Sequence, residues 1–315
     1  MKIGILGFAH RHARFYAAAV QASAQASLSG IADTDASRGR RVAEELSIPH
    51  FESVDDLLCS EAEAVIVCGE NSDRERLCLD AVEAGKHALC VMPMASSPEK
   101  AEDTIKAFRE KKLVLAAALP FRCSSPIARA REILNSGKIG DIVAFKLVHR
   151  AVRPLEGTEE SHVQLAEHIV HGADLVRWFG GSAVKEVFAE VGKGHGCAIV
   201  TLTLEDGAFG TVDASWVDPP RSYPASSELT FEITGTEGFL SVDAFGQKVV
   251  SYSERVGRGQ DVCWGDDMYL ALVSDFADAI SGDRPPAATG EDGLEALRIA
   301  FAAYRSAENN QPVGL

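Results

Sequence analysis

Between Lys2 and Ala118 the chain alternates short apolar runs with stretches of helical character, and this alternation limits the fold more than any other feature. The runs are Lys2 to Leu6, Leu28 to Ala32, Ala64 to Cys68, His87 to Val91 and Val114 to Ala118. Ala9 to Ala24, Ala36 to Leu46, Arg74 to Ala84 and Pro98 to Lys111 read as helices. Pro98 suits a first helical turn, where the N–H it lacks has no helical partner anyway. Strands joined through helices pair in parallel with right-handed crossovers. The expectation is an α/β domain over residues 1–120, a Rossmann-type doubly wound parallel sheet.

Beyond Pro120 the pattern changes. Ile127 to Leu134 and Ser161 to Phe179 read as helices, and Asp141 to His149 alternates as a strand does. Strand then follows strand: Val184 to Val191, Ala198 to Leu204, Phe209 to Trp216, Leu229 to Ile233, Phe239 to Asp243 and Val249 to Tyr252. Tight connections such as Glu205-Asp206-Gly207 suit antiparallel hairpins. Two last helices, Met268 to Ile280 and Gly293 to Asn309, flank Asp283-Arg284-Pro285-Pro286. Residues 121–315 are therefore expected to form an α+β domain with a large, open, mostly antiparallel sheet. Helices on one face leave the other to be covered, which points to a homo-oligomer, dimer or tetramer, through the open sheet face.

Charge narrows the partners. With 31 Lys+Arg against 46 Asp+Glu the net charge is −15, so a broad nucleic-acid or anionic-membrane surface is not expected. No apolar run approaches the ~18 residues of a membrane span, and the opening Met1 to Gly7 does not read as a signal peptide. The cysteines number 7 and include no C-x-x-C spacing, which fits neither a disulfide framework nor a zinc ribbon and suits a reducing, cytoplasmic setting.

The first strand-to-helix turn reads Gly7-Phe8-Ala9-His10-Arg11-His12. A dinucleotide loop of the G-x-G-x-x-G type uses glycines to bring backbone against the pyrophosphate and a helix N-terminus to hold it. Only the first glycine is present here. Ala9 adds a methyl where phosphate approaches, and His12 adds bulk where helix meets strand. Two features support the assignment. Asp33 closes the second strand 26 residues after Gly7, placed to accept from a ribose 2′-hydroxyl, which favours NAD over NADP. His10, Arg11, His12 and Arg14 bring positive charge to the turn. Arg38, Arg40 and Arg41 lie just beyond Asp33 and act against the NAD preference.

Several motifs together resemble the Gfo/Idh/MocA oxidoreductases, through nearly the whole chain. Gly69-Glu70-Asn71 stands at the family's T-P-N-like turn. Ala84-Gly85-Lys86-His87-Ala88-Leu89-Cys90-Val91-Met92-Pro93-Met94-Ala95 matches its A-G-K-H-V…E-K-P stretch. Ser136-Gly137-Lys138-Ile139-Gly140, Gly235-Thr236-Glu237-Gly238-Phe239-Leu240 and Asp292-Gly293-Leu294-Glu295-Ala296-Leu297 resemble its structural motifs. The resemblance implies NAD or NADP as cofactor, held by Gly7 to His12, Asp33, Cys68, Gly69, Asn71, Met92 and Pro93. It implies oxidation of a sugar, polyol or related hydroxy compound. In the family pattern the lysine of E-K-P contacts substrate and nicotinamide; here Val91 and Met92 replace Glu and Lys, and methionine can neither donate a strong hydrogen bond nor carry charge. Arg122 or His12 is the candidate substitute donor. The replacement leaves two other readings open: an NAD-using lyase, epimerase or glycosidase with transient oxidation, and a non-catalytic nucleotide- or sugar-binding relative.

The family's D-x-x-x-H-x-x-D appears with Glu167, His171 and Asp174. Ser161 with Gln164 suits a capping box at the helix start. At about 100° per residue Leu165, Ile169, Gly172 and Val176 share one face and Glu167, His171 and Asp174 another. A carboxylate one turn from an imidazole suits it to general-base work, so His171 is the expected base, Glu167 its orienter or a substrate contact, and Asp174 a supporting carboxylate. His149, His162, His168 and His171 lack H-E-x-x-H spacing, and no metal is expected. Arg150 and Arg153 read equally as substrate anion contacts or as salt-bridge partners.

Overall fold

The computed structural model describes residues 1–10, 12–152, 161–192, 196–217, 227–254, 257–263, 265 and 267–315. Arg11 and Arg153 lie outside the described residues, as do the side chains of Ser161, His162 and Gln164. In chain order the elements are β1 (Lys2–Leu6), α1 (Ala13–Ala22), β2 (Ser27–Ala32), α2 (Ala36–Leu46), α3 (Val54–Leu58), β3 (Ala64–Val67), α4 (Asn71–Glu83), β4 (His87–Val91), α5 (Pro98–Glu110) and β5 (Leu115–Ala118). There follow α6 (Ser125–Asn135), β6 (Ile142–Val152), α7 (Ser161–Gly180), β7 (Val184–Gly192), β8 (Cys197–Leu204), β9 (Phe209–Val217), β10 (Glu228–Gly235), β11 (Gly238–Asp243), β12 (Lys248–Ser253), β13 (Gly257–Val262), α8 (Met268–Ser281), α9 (Gly290–Asn309) and β14 (Val313–Gly314). Among the described residues no helix is long and apolar enough to cross a membrane.

By internal contacts the chain forms two compact units, Met1–Cys123 with Asp267–Leu294, and Ser124–Asp266 with Glu295–Leu315. The first seam falls close to the expected boundary at 120. The second does not follow the expected 121–315 division, because α8 belongs to the first unit. Its Leu272, Val273 and Phe276 join Tyr16 and Val20 of α1 in one core cluster. Asp267 caps α8, accepting from the N–H groups of Tyr269 and Leu270.

The first unit is built on a five-stranded sheet of order β2-β1-β3-β4-β5, parallel throughout. Every residue of β3 and β5 is buried, as a parallel sheet covered on both faces requires. The strand order turns back between β1 and β3, and open α/β sheets bind ligands beyond the carboxyl ends of the strands at such a point. Helix α1 starts at Ala13 rather than at the expected Ala9, because the preceding residues form the turn described below.

The second unit carries a nine-stranded sheet of order β13-β12-β11-β10-β6-β9-β8-β7-β14. Its pairs are antiparallel except β6 with β9. The turn after β8 is the expected hairpin, with the Leu204 N–H donating to the Ala208 carbonyl. The two glycine-bearing turns read from the sequence bond to each other: the Thr236 N–H donates to the Asp141 carbonyl and the Glu237 N–H to that of Ile139. Helix α7 packs across β6, β8 and β9. Toward it β6 turns the buried Phe145, Leu147, His149 and Ala151, and β9 turns Val212, Ala214 and Trp216. The alternation of period two thus sets one face for α7 and leaves the other open.

Candidate active site

At the end of β1, Gly7 has φ +84°. A Cβ there would stand 2.5 Å from the Gly69 Cα and 2.7 Å from its nitrogen, so the turns after β1 and β3 meet backbone to backbone and admit no side chain. The His10 N–H donates to the Cys68 carbonyl across this junction at 3.2 Å. The Phe8 N–H donates to Asp33 Oδ2, the His12 N–H to His10 Nδ1 and the Ala13 N–H to the His10 carbonyl. Because His10 Nδ1 accepts, its neutral ring carries hydrogen on Nε2. Ala9 is exposed. His12 does not crowd the helix–strand junction as expected; its ring packs beside Phe15 and Tyr269, at 5.8 and 5.7 Å. His12 caps α1 without a side-chain bond, and the first turn of α1 holds no acidic residue, which leaves the positive end of the helix dipole toward an anion.

Asp33 is 4 % exposed, and Arg38 grips it with Nε and Nη2 at 2.8 and 2.7 Å. Cys68 contributes only backbone to this region: its sulfur lies in the core, and burial pushes the thiol up while Arg74 pulls it down. Asn71 begins α4 and is partly buried. Met92 and Pro93 are buried and joined by a cis peptide bond. The Met92 sulfur would lie 3.2 Å from a Cβ on Gly293, so it fills the space beside the start of α9. Arg122 is buried and donates to the Ala287 carbonyl and to Asp292, so it braces the start of α9. The sequence reading missed Arg74. It is 1 % exposed and donates from Nε to the Gly69 carbonyl and from Nη1 to that of Pro93, tying together the turns after β3 and β4. A signal was available, since Arg74, Leu77, Cys78 and Ala81 share the buried stripe of α4.

In the second unit, α7 places Glu167 and His171 at partly buried positions one turn apart, with Asp174 buried at 1 % exposure. Beside them stands an aromatic wall. The His149 and His168 rings stack at 4.2 Å and 12°. His168 lies 4.0 Å from Trp216, and His149 lies 6.3 Å from His171. Among the described residues no group of three His, Cys, Asp or Glu could hold a metal ion. His149 and Trp216 were legible only as inward positions of β6 and β9. Arg150 lies on the opposite face of β6, in ion pairs with Asp213 and Glu228, which decides between its two readings.

The family model described as the oxidoreductase family with an NAD-binding Rossmann fold matches residues 1–119, and the GFO/IDH/MocA C-terminal domain model matches residues 127–241. The chain belongs to the Gfo/Idh/MocA oxidoreductase family. It is 26% identical to the myo-inositol 2-dehydrogenase of Thermotoga maritima, over 100% of this chain and 98% of that protein. It is 29% identical to the 1,5-anhydro-D-fructose reductase of Ensifer adhaerens, over 88% of each. The solved UDP-N-acetylglucosamine 3-dehydrogenase of Acidithiobacillus ferrooxidans superposes with a TM-score of 0.85 at 26% identity, covering 98% of both chains.

The first unit of this Gfo/Idh/MocA chain fits the nicotinamide dinucleotide its family binds. The Gly7–Gly69 contact, which a Cβ on Gly7 would fill, keeps backbone open at the strand-order reversal, and the uncapped start of α1 faces the same turn. The fit differs from a glycine-rich loop in one respect. With the Phe8, His10, His12 and Ala13 N–H groups engaged inside the protein, this turn leaves fewer backbone donors for a phosphate than a glycine-rich loop does.

Proposed function

We propose that this chain oxidises a secondary hydroxyl of a sugar, polyol or related compound, or reduces the matching ketone, with His171 as the proton acceptor. A bound nicotinamide supplies the hydride acceptor. Gly7, Phe8, Ala9, His10, His12, Gly69 and Asn71 hold the dinucleotide; Arg11 joins them from the sequence alone. Cys68, Met92 and Pro93 shape that site through backbone and packing. His171 takes the hydroxyl proton as hydride leaves carbon, and Glu167 orients the imidazole or the substrate. Asp174, buried beneath, stabilises the imidazolium that forms. The observation that carries this reading is the partly exposed Glu167–His171 pair on α7, one turn from a buried carboxylate, in an oxidoreductase family with relatives that act on inositol, anhydrofructose and a nucleotide sugar.

One observation favours a second reading, nucleotide binding without turnover: the buried Met92 at the place of the family's lysine. The test is NADH or NADPH formation over a panel including myo-inositol and UDP-N-acetylglucosamine, and coenzyme oxidation with 1,5-anhydro-D-fructose. His171→Asn should lower turnover about 10²-fold or more while coenzyme affinity stays within about twofold. Unchanged turnover removes His171 from the mechanism, and coenzyme binding without turnover of any panel member supports the second reading.

The open sheet face carries the exposed Ile199, Phe209, Phe239 and Tyr252, with Phe239 stacked on Tyr252 at 5.7 Å. It suits a second copy of the chain in a dimer or tetramer, which light scattering tests. A reducing, cytoplasmic setting agrees with the free thiols buried at Cys68, Cys78 and Cys90.

A further inference from the structure

We propose that Arg38, and not Asp33, sets coenzyme choice in this protein, and that the arrangement admits NADP(H) alongside NAD(H). The inference rests on the dinucleotide reading above. Asp33 was expected to accept from the ribose 2′-hydroxyl, but its acceptor capacity is used. Oδ1 takes the Asp35 N–H at 2.9 Å and Arg38 Nη2 at 2.7 Å. Oδ2 takes the Phe8 N–H and Arg38 Nε, both at 2.8 Å. A carboxylate offers about four lone-pair sites, and the Asp33 side chain is 0% exposed. A ribose hydroxyl reaches Asp33 only by breaking one of these bonds.

The guanidinium shields that carboxylate from outside. Nε and one hydrogen of Nη2 face Asp33, and the remaining N–H groups of the planar fork point away from it. Arg38 keeps 19% of its side chain exposed and approaches Glu70 only loosely, Nη1 to Oε1 at 3.5 Å. The other two arginines of this segment are directed elsewhere. Arg40 pairs with Glu52 at 2.5 Å, and Arg41 lies 3.9 Å from Glu45. The negative charge that would repel a 2′-phosphate is therefore neutralised by a bidentate partner whose outer edge can receive that phosphate. Glu70, half exposed, and Asp35, which caps α2 through the Ser37 and Arg38 N–H groups, oppose a second negative group. They hold the preference near balance instead of letting it become exclusive for NADP(H).

The test is calorimetric titration of the purified protein with NAD+ and with NADP+ at one fixed salt concentration. The wild-type dissociation constants should lie within about tenfold of each other. Arg38→Ala frees Asp33, so it should weaken NADP+ about 10- to 100-fold, the worth of one charge-assisted contact, while NAD+ binding holds or tightens. Arg38→Lys should keep part of the NADP+ affinity. Glu70→Gln, at an exposed side chain, should tighten NADP+ alone, so the idea stays testable even if Arg38→Ala folds poorly. A wild-type preference for NAD+ beyond about 100-fold, unmoved by Arg38→Ala or Glu70→Gln, would overturn the inference and leave the dinucleotide reading intact. If neither coenzyme binds, both fail.

Discussion

Gly172 controls how closely α7 approaches the sheet, and replacing it should uncouple activity from stability. A Cβ at 172 would stand 2.5 Å from Val212 Cγ1 and 3.3 Å from Leu147 Cδ2, against an optimum of about 3.5–4.0 Å for carbon pairs. Val212 is 0% exposed and stiff at χ1, so relief requires α7 to move outward by roughly 1 Å, the shortfall against that optimum. Overpacking of this kind costs about 1–3 kcal/mol, and the helix propensity gained on Gly→Ala returns about 1 kcal/mol. Gly172→Ala should therefore lose only about 0–2 kcal/mol, or at most several degrees of Tm at roughly 2–4 °C per kcal/mol. Turnover should suffer far more. His168 and His171 ride on the displaced turns, and a misplacement of about 1 Å can cost ~10²-fold in rate. The assay pairs a thermal melt with kcat on a responsive sugar, for Gly172→Ala, Val212→Ala and the double variant. The double variant should recover kcat through a coupling of at least about 0.5 kcal/mol. Wild-type kcat in Gly172→Ala, or strictly additive effects, would refute the reasoning.

Arg74→Met should leave the buried Gly69 and Pro93 carbonyls without a donor, at about 1–3 kcal/mol each, partly offset by no longer burying a charge. A net loss of about 2–4 kcal/mol, roughly 5–10 °C by calorimetry, should come with weaker coenzyme binding, and Arg74→Lys should recover less than half because one ammonium cannot replace the fork. His87 is partly buried with Nδ1 accepting from the Val114 N–H, and burial lowers its pKa against an opposing pull from Glu63. The unfolded chain then binds more protons as pH falls through the ordinary histidine value of about 6.5, so this contribution is present above that value and fades below it. Between about pH 7.5 and pH 5 the Tm of His87→Asn should fall less steeply than that of the wild type; equal slopes would exclude His87 as the source.

The sequence discloses those elements whose burial is periodic. The strands of the first sheet stand out as apolar runs because both their faces are covered, and the turn at Glu205-Asp206-Gly207 declares its own hairpin. Helix α3 was passed over because five residues held by a Ser53 cap show no period. Strand β13, Gly-Arg-Gly-Gln-Asp-Val at the sheet edge, has one neighbour and little apolar content to reveal it. Helix α8 was legible as a helix, but an apolar stripe does not say which core it enters. The same limit applies at the site. Glu167 and His171 follow from the resemblance to the family's D-x-x-x-H-x-x-D motif together with their spacing on one helix. Arg74, His149 and Trp216 depend on which face of an element packs inward, and the engagement of Asp33 depends on where the Arg38 side chain turns.

The replacement of the family's lysine by Met92 has a physical counterpart in these placements. Met92 and Met94 fill the space over Gly293, where a Cβ would meet the Met94 Cε at 2.8 Å and the Met92 sulfur at 3.2 Å. An ammonium at position 92 would have to leave that packing or be desolvated within it, which costs several kcal/mol. A cation remains nearby, but Arg74 holds it at 1 % exposure on the carbonyl of the very next residue, Pro93. Charge that in the family pattern contacts substrate here orders backbone. Coenzyme binding can therefore persist through the Gly7–Gly69 junction and the Arg74 tie without the lysine. On the proposed mechanism the proton transfer falls to His171 and its carboxylates, so binding and turnover should respond to separate sets of residues: Arg38 and Arg74 for the first, Gly172 and His171 for the second.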